Sequence, residues 1–158
     1  MKLSDFVVRE AVIPELAAAT KAEVIREMVD SLRLSGQVKN GDHELIVKAI
    51  LKREEQGTTG IGRGVAVPHV KHHAAVRLIG NVALSKKGID FASLDGEPVH
   101  IFFLLVSPSD RPGDHLRALE TITRHLRNDM FSRFLRQSAT GEQILELLDE
   151  ADQNQFGP

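Results

Sequence analysis

The sequence contains no cysteine, no tryptophan and no tyrosine, so its aromatic residues are seven phenylalanines. The lack of cysteine excludes disulfides, thiolate metal ligands and a cysteine nucleophile. The scarcity of aromatic rings argues against a stacking platform for nucleic-acid bases. A formal net charge of -2, without any strongly basic segment, argues against binding to a phosphate backbone. We therefore expect no nucleic acid among the partners of this protein.

Long apolar runs are also missing. The longest extends from Ile101 to Val106, whereas a membrane-spanning helix needs about 20 apolar residues. The first residues, MKLSDFVVREAVIPEL, lack an apolar stretch followed by a small-residue cleavage site, so no secretory signal is expected. These absences predict a cytoplasmic protein without direct membrane insertion.

The 158 residues are enough for one domain with a real core, and 42% hydrophobic with 27% charged residues is an ordinary globular balance. No internal repeat and no linker rich in proline, glycine or serine interrupts the chain. We predict a single domain over residues 1–150 and a flexible C-terminal tail over residues 151–158.

Helix start signals recur along the chain. Thr20 and Glu23 have capping-box spacing ahead of a helical apolar face, and Thr140 and Gln143 repeat that spacing before the last helix. Five helices are predicted, and they begin after Thr20, after Asp42, near His115 with Asp114 as cap, near Met130 and after Thr140.

Three strands alternate with these helices. VAVPH is expected to form a short buried strand that ends at Pro68, and apolar runs predict strands over residues 78–84 and 99–106. A weak strand is expected near residues 11–13. Because no helix separates the strands at 78–84 and 99–106, part of the sheet should be antiparallel. The predicted fold is α/β, a mixed sheet of about four to five strands with helices on both faces.

Most residues suited to chemistry lie in one segment, residues 52–73, which reads KREEQGTTGIGRGVAVPHVKHH. His69 follows the predicted strand, behind a loop with four glycines, and Arg53 lies at the end of the preceding helix. A histidine has an unperturbed pKa of about 6.5, so a neutral nitrogen can accept a phosphoryl group near neutral pH. The phosphorylated product carries close to two negative charges, and the planar guanidinium of an arginine matches its oxygens.

The glycine-rich loop offers further donors, because glycine lets backbone N–H groups approach a phosphate closely. We predict a phosphate-binding loop that includes Thr59, Gly60, Gly62 and Gly64. Phosphoryl transfer depends mostly on positioning and charge stabilisation, so little further covalent machinery is required.

Two other interpretations of this segment have less support. Gly57 and Gly62 have the spacing of a nucleotide P-loop, but the two residues that follow are arginine and glycine, and the loop follows a helix where that motif needs a strand. His69, His72 and His73 are a plausible zinc set. The expected strand end lies between His69 and His72, however, so their side chains need not converge.

Several motifs occur together in one order: R-E at residues 53–54, T-T-G-I-G at residues 58–62, G-V-A-V-P-H at residues 64–69, and S-P-S-D-R-P-G-D-H-L-R-A-L at residues 107–119. In combination they resemble enzyme IIA of the bacterial phosphoenolpyruvate:sugar phosphotransferase system, of the fructose/mannitol and nitrogen-regulatory type. The resemblance covers roughly residues 3–148.

The resemblance implies roles for individual positions. His69 matches the family's phosphorylated histidine, Arg53 matches an arginine beside it, and His115 matches a second histidine of the site. It also implies a mixed sheet flanked by helices and protein-histidine phosphotransferase activity, with no cofactor and no metal. The expected donor is an HPr-like phosphocarrier, and the expected acceptor is a IIB component or a regulatory target protein.

One position departs from the family pattern. Val70 follows the active histidine, where the family usually has glycine, alanine or cysteine, and a β-branched side chain adds bulk there. Alternatives to a carrier in sugar uptake remain open: a regulatory module whose binding changes on phosphorylation, a histidine metal site, and a domain that has lost transfer.

Overall fold

The computed structural model describes residues 1–157. Within them, 3-10 helices at Leu3–Asp5 and Arg9–Ala11 precede five α-helices and five strands. The helices are α1 (Lys21–Leu34), α2 (His43–Glu55), α3 (Pro112–Leu126), α4 (Asp129–Gln137) and α5 (Gly141–Asp152). The strands are β1 (Gly60–Gly62), β2 (Val65–Ala66), β3 (His69–His72), β4 (Ile79–Ile89) and β5 (Val99–Pro108). None of the helices in the described residues is long and apolar enough to cross a membrane.

β5 lies in the middle of a mixed sheet. β4 pairs with it antiparallel along one side, while β2 and then β3 pair with it in parallel along the other. β1 forms an antiparallel hairpin with β2. Every residue of β5 is buried, which explains its nearly continuous apolar sequence. The predicted antiparallel pairing between the two long strands is confirmed.

The prediction of one strand that ends at Pro68 is wrong. Val65 and Ala66 form β2, Val67 and Pro68 interrupt the pairing, and the chain continues beside β5 as β3. Proline has no N–H to donate to a ladder, which accounts for the break. His69 therefore begins a strand, and that strand is an edge of the sheet.

Helices cover both faces of the sheet. Phe102 and Leu104 of β5 pack into a core shared with α1 and α2. Ile101 and Phe103 alternate with them and pack into a second core shared with α3, α4 and α5. The predicted fold class, a mixed α/β sheet flanked on both faces within one domain, is confirmed.

The two predicted capping boxes begin helices as expected. The hydroxyl of Thr20 accepts the N–H of Glu23 at the start of α1, and the hydroxyl of Thr140 accepts the N–H of Gln143 at the start of α5. These contacts satisfy backbone donors that a helix leaves open at its first turn.

The start of α3 differs from the prediction. The helix begins at Pro112, three residues before His115, because the fixed φ of proline suits the first helical position. Asp114 lies inside the first turn, where its carboxylate binds Arg117, so its predicted role as the cap is wrong.

The two ends of the chain also differ from expectation. The strand predicted near residues 11–13 is reduced to a single bridge between Ile13 and Ala83. At the other end, α5 runs through Asp152, and the ring of Phe156 packs edge-on against Phe131 with centroids 5.5 Å apart. Within the predicted tail, residues 151–158, the ring of Phe156 packs against the domain, residues 153–155 and 157 are exposed, and residue 158 lies outside the described residues.

Candidate functional site

An open cavity of about 550 Å³ lies beside β3 at the edge of the sheet, between α2 and α3. His69 lines it from the first position of β3. Arg53 lines it from the last turn of α2, and His115 from near the start of α3. The structure thus brings together the three residues that the sequence singled out for phosphoryl chemistry.

One hydrogen bond fixes the imidazole of His69. Its Nδ1 lies 2.7 Å from the carbonyl oxygen of Val67. Because a carbonyl oxygen only accepts, Nδ1 carries the proton and donates it. The lone pair of the neutral ring is then on Nε2, and Nε2 is the nitrogen that remains for a reaction in the cavity.

The surroundings keep this ring neutral. Burial lowers the pKa of His69 below its ordinary value, and the positive charges of Arg53 and Lys71 lower it further. The hydrogen bond to Val67 and the carboxylate of Glu54 act in the opposite direction without reversing the shift. A neutral imidazole near neutral pH is what a nitrogen nucleophile requires.

The guanidinium of Arg53 is anchored at the end of α2. Its Nη1 donates a hydrogen bond of 2.8 Å to the carbonyl oxygen of Gly57, just past the helix. A guanidinium has five N–H donors in a fixed plane, so this anchor leaves others for the oxygens of an anion. Its position in the cavity beside His69 supports the predicted site over the alternative of an ordinary solvated arginine.

The second histidine lies deeper than the first. His115 is only 5% exposed, and its ring centroid lies 5.3 Å from that of His69. Its Nδ1 lies 2.6 Å from the hydroxyl oxygen of Ser107 on β5. Burial, followed by the neighbouring His69 and Lys71, lowers the pKa of His115 to about 4, so this ring is neutral as well.

The structure does not bring the predicted phosphate-binding loop to this cavity. Thr59, Gly60, Gly62 and Gly64 are absent from its lining. The N–H and the hydroxyl of Thr59 both donate hydrogen bonds to the carboxylate of Glu54. These two bonds hold the glycine-rich segment against α2.

The glycines of this segment have a different use. They form the tight hairpin of β1 and β2, in which Gly62 and Gly64 have φ of 97° and 78°, a region that favours glycine. A Cβ at Gly60 would clash with the hydroxyl oxygen of Ser93 and lie 3.1 Å from the Cα of Ser93, so the hairpin also packs closely against the segment before β5. The glycines are therefore explained by backbone conformation and packing.

The three-histidine metal site is not formed. His72 and His73 stack on each other with ring centroids 4.4 Å apart. His69 and His72 point to opposite faces of β3, because side chains alternate along a strand. Among residues 1–157 no group of three or more histidine or acidic side chains is arranged to hold a metal ion.

Val70, the departure from the family pattern, suits its place in β3. It pairs with Val106 of β5, and its half-buried side chain packs against the core on the α1 and α2 face. β-branched residues favour such positions in a strand. His69 points to the other face of β3, but Val70 also lines the cavity, so its added bulk lies beside the candidate site.

Sequence reasoning missed three contributors to the site. Lys52 and Lys71 line the cavity, and Ser107 binds His115. Lys71 lies two residues after His69 on one strand, a spacing that would have placed it on the same face had β3 been predicted. Ser107 carried a weaker signal, a polar residue at the end of a long apolar run.

Comparison with known proteins identifies relatives along almost the whole chain. The family model described as "Phosphoenolpyruvate-dependent sugar phosphotransferase system, EIIA 2" matches residues 5–151. A nitrogen regulatory protein of Bradyrhizobium diazoefficiens is 36% identical over 149 residues, which cover 94% of this chain and 95% of the relative.

Solved structures share the fold. The nitrogen regulatory protein IIA-Ntr from Neisseria meningitidis aligns with a TM-score of 0.83 at 22% identity, over 92% of this chain and 98% of that chain. A chain of the complex of enzyme IIAMTL and phosphorylated enzyme IIBMTL from Escherichia coli aligns with a TM-score of 0.74 at 22% identity, over 89% of this chain and 94% of that chain. With the sequence match over residues 5–151, this protein belongs to the EIIA 2 family of the phosphoenolpyruvate-dependent sugar phosphotransferase system.

Proposed function

We propose that this protein is a phosphocarrier that accepts a phosphoryl group on Nε2 of His69 and passes it to another protein. The observation that carries the proposal is the hydrogen bond from Nδ1 of His69 to Val67, because it leaves a lone pair on Nε2. Membership of a phosphotransferase family supports the same activity.

In the proposed transfer, the lone pair of Nε2 forms a bond to phosphorus while the bond between phosphorus and the donor's histidine nitrogen breaks. The donor nitrogen keeps the electron pair of the broken bond. The proton on Nδ1 stays in place, still hydrogen-bonded to Val67, so the acceptor ring has no proton to release. Onward transfer repeats the same exchange with a new acceptor nucleophile.

Charge on the phosphoryl group is met by the residues around it. The transferred group carries close to two negative charges, and Arg53 lies in the same cavity with N–H donors to spare. Lys52 and Lys71 add positive charge at the cavity. A carrier must release its phosphate again, and an open site with a few exposed cations suits that better than an enclosed one.

The partners follow from this role. An HPr-like phosphocarrier in the cytoplasm is the proposed donor, and a IIB component is the proposed acceptor. A structural neighbour described in complex with phosphorylated IIBMTL supports an acceptor of that kind. An open cavity at a sheet edge also admits the side chain of a partner, which must come within bonding distance of His69.

A regulatory role is the second candidate. The 36% identity to a nitrogen regulatory protein, over nearly the full length of both chains, supports it. In that case phosphorylation of His69 changes the charge of this surface and so changes which target protein binds. Pull-downs with the phosphorylated and unphosphorylated protein test it: a target retained in one state alone favours regulation, and transfer to a IIB component without such a target favours the carrier.

The direct test is phosphorylation by phosphoenolpyruvate, enzyme I and an HPr-like protein from a matching source. Intact-mass spectrometry should show one added phosphoryl group, and mapping should place it on His69. His69→Ala should show none. His73→Ala is the matched control, because that exposed histidine lies outside the cavity. Incorporation that persists in His69→Ala would rule out the assignment.

A further inference from the structure

Ser107 occupies an unusual place for a hydroxyl group. It lies at the carboxyl end of β5 and is 0% exposed. It shares a strand face with Phe103 and Leu105, which pack into the core against α3. Its one side-chain hydrogen bond in the described structure joins Oγ to Nδ1 of His115 at 2.6 Å. A buried polar group at the end of an apolar stripe therefore has a single partner, and that partner belongs to the site.

Burial settles the direction of this hydrogen bond. If Nδ1 of His115 donated to Oγ, the hydroxyl proton of Ser107 would be buried without an acceptor, which is unfavourable. The hydroxyl of Ser107 therefore donates to the lone pair of Nδ1. A neutral His115 that accepts at Nδ1 carries its proton on Nε2.

We propose that Ser107 is a positioning residue that fixes His115 in the tautomer with N–H at Nε2, so that His115 donates a hydrogen bond to a phosphoryl group on His69. This inference rests on the proposed function of His69. The opposite tautomer would turn a lone pair of His115 toward a dianionic group, which is repulsive. With Ser107 in place, His69 presents a lone pair and His115 presents a donor, on rings whose centroids are 5.3 Å apart.

The tautomers are measured directly by nitrogen–proton correlation NMR of the imidazole rings. In the wild type at neutral pH we expect N–H at Nε2 in His115 and at Nδ1 in His69. Ser107→Ala should leave His115 as a mixture of tautomers, and Ser107→Thr, which retains a hydroxyl, should restore the Nε2–H form. A wild-type His115 protonated at Nδ1 overturns the proposal without reference to any variant.

Kinetics supply the second measurement. In single-turnover phosphorylation from a phosphorylated HPr-like donor, Ser107→Ala should lower the maximal rate about tenfold and leave the half-saturating donor concentration unchanged. Ser107→Thr should recover most of the rate. Ser138→Ala is the matched control, since it removes a buried hydroxyl bound to the carbonyl of Phe134, away from the cavity. A wild-type rate in Ser107→Ala overturns the proposal.

The two measurements separate this inference from the proposed function. A wild-type protein that takes up no phosphate contradicts both the carrier function and the donation from His115 to a phosphoryl group. Normal phosphorylation of the wild type, together with an unchanged His115 tautomer in Ser107→Ala, contradicts only the role of Ser107.

Discussion

The imidazole rings of His69 and His115 lie with centroids 5.3 Å apart and planes tilted by 54°. Edge strand β3 supplies one ring and α3 supplies the other. Each ring is held through Nδ1, but by groups of opposite character, a carbonyl oxygen for His69 and the hydroxyl of Ser107 for His115. Under the proposed function, two chemically identical side chains take different tasks, His69 as nucleophile and His115 as hydrogen-bond donor.

The pH dependence of phosphorylation follows from the lowered pKa of His69. An ordinary histidine gains a proton and loses its nucleophilic lone pair as the pH falls through about 6.5. In His69 burial lowers the pKa, so the nucleophilic lone pair is lost only at a lower pH. The phosphorylation rate should therefore stay constant as the pH falls through about 6.5 and decline only below that pH. Single-turnover rates between about pH 5 and pH 8 would check this. A rate that already halves at the ordinary histidine pKa would contradict it.

Replacing Arg53 should affect both the titration and the transfer. In Arg53→Gln the positive charge that helps to lower the pKa of His69 is lost, so that pKa should rise. Transfer should slow roughly 10- to 100-fold, because hydrogen bonds to charged groups contribute about 1.5–3 kcal/mol. NMR titration of the histidine ring and single-turnover kinetics measure the two effects.

Lys52→Gln is the control for this variant. Lys52 lines the same cavity, but it is not among the groups that shift the pKa of His69. It should therefore leave the titration of His69 unchanged and slow transfer less than Arg53→Gln does. Equal behaviour of the two variants would show that only the overall positive charge of the cavity matters.

The buried His115 should make stability depend on pH. Its pKa is about 4 in the folded protein, against about 6.5 in an unfolded chain. Between pH 4 and pH 6.5 the unfolded state binds more protons than the folded state does. The contribution of the neutral, buried His115 to the free energy of unfolding is therefore fully present above about pH 6.5 and is lost as the pH falls toward 4. The loss should be about 3 kcal/mol by pH 4.

Urea denaturation of the wild type and His115→Gln across this range provides the measurement. Glutamine does not titrate, so the free energy of unfolding of the wild type should fall more steeply with decreasing pH than that of the variant. Carboxylates and the other histidines are common to both proteins and cancel in the difference, except for His69, which is coupled to His115. Parallel curves would mean that His115 titrates in the folded protein as it does in the unfolded chain.

Features set by neighbours in the chain were predictable from the sequence. The caps at Thr20 and Thr140 depend on residues three positions apart, and the strands at 78–84 and 99–106 depend on local apolar runs. The extension of β3 past Pro68 was not predictable in this way, because it depends on pairing with β5, far along the chain. The position of His69 on an edge strand follows from that long-range pairing.

In the candidate site, too, some features were predictable from the sequence and others depend on long-range packing. Motif resemblance named His69, Arg53 and His115, and the fold gathers them in one cavity. The glycine-rich loop does not line the cavity, and the sequence could not show this, because glycine suits both a phosphate-binding backbone and the tight hairpin that β1 and β2 form. For Ser107 the sequence offers only a polar residue at the end of an apolar run, and its hydrogen bond to His115 depends on the packing of α3 against β5.

The carboxylate of Glu54 joins three parts of the framework behind His69. It lies in α2 with its side chain only 3% exposed, and the ammonium of Lys21 on α1 lies 2.8 Å away. The N–H and hydroxyl of Thr59, in the segment that leads to β1, also bind this carboxylate. Lys21 lies in turn 4.6 Å above the centroid of the Phe91 ring.

Glu54→Gln should therefore lower the free energy of unfolding by about 2 kcal/mol, because it leaves Lys21 without its counter-charge. The loss is smaller than for a fully buried pair, since the side chain of Lys21 is 25% exposed. The double variant Lys21→Met with Glu54→Gln should lose less than the sum of the two single variants, because it leaves no unpaired charge. Glu55→Gln, at the exposed neighbouring position of α2, should stay within about 0.5 kcal/mol of the wild type. Urea denaturation at neutral pH measures the wild type and the four variants, and a Glu54→Gln variant as stable as Glu55→Gln would show that this ion pair does not stabilise the fold.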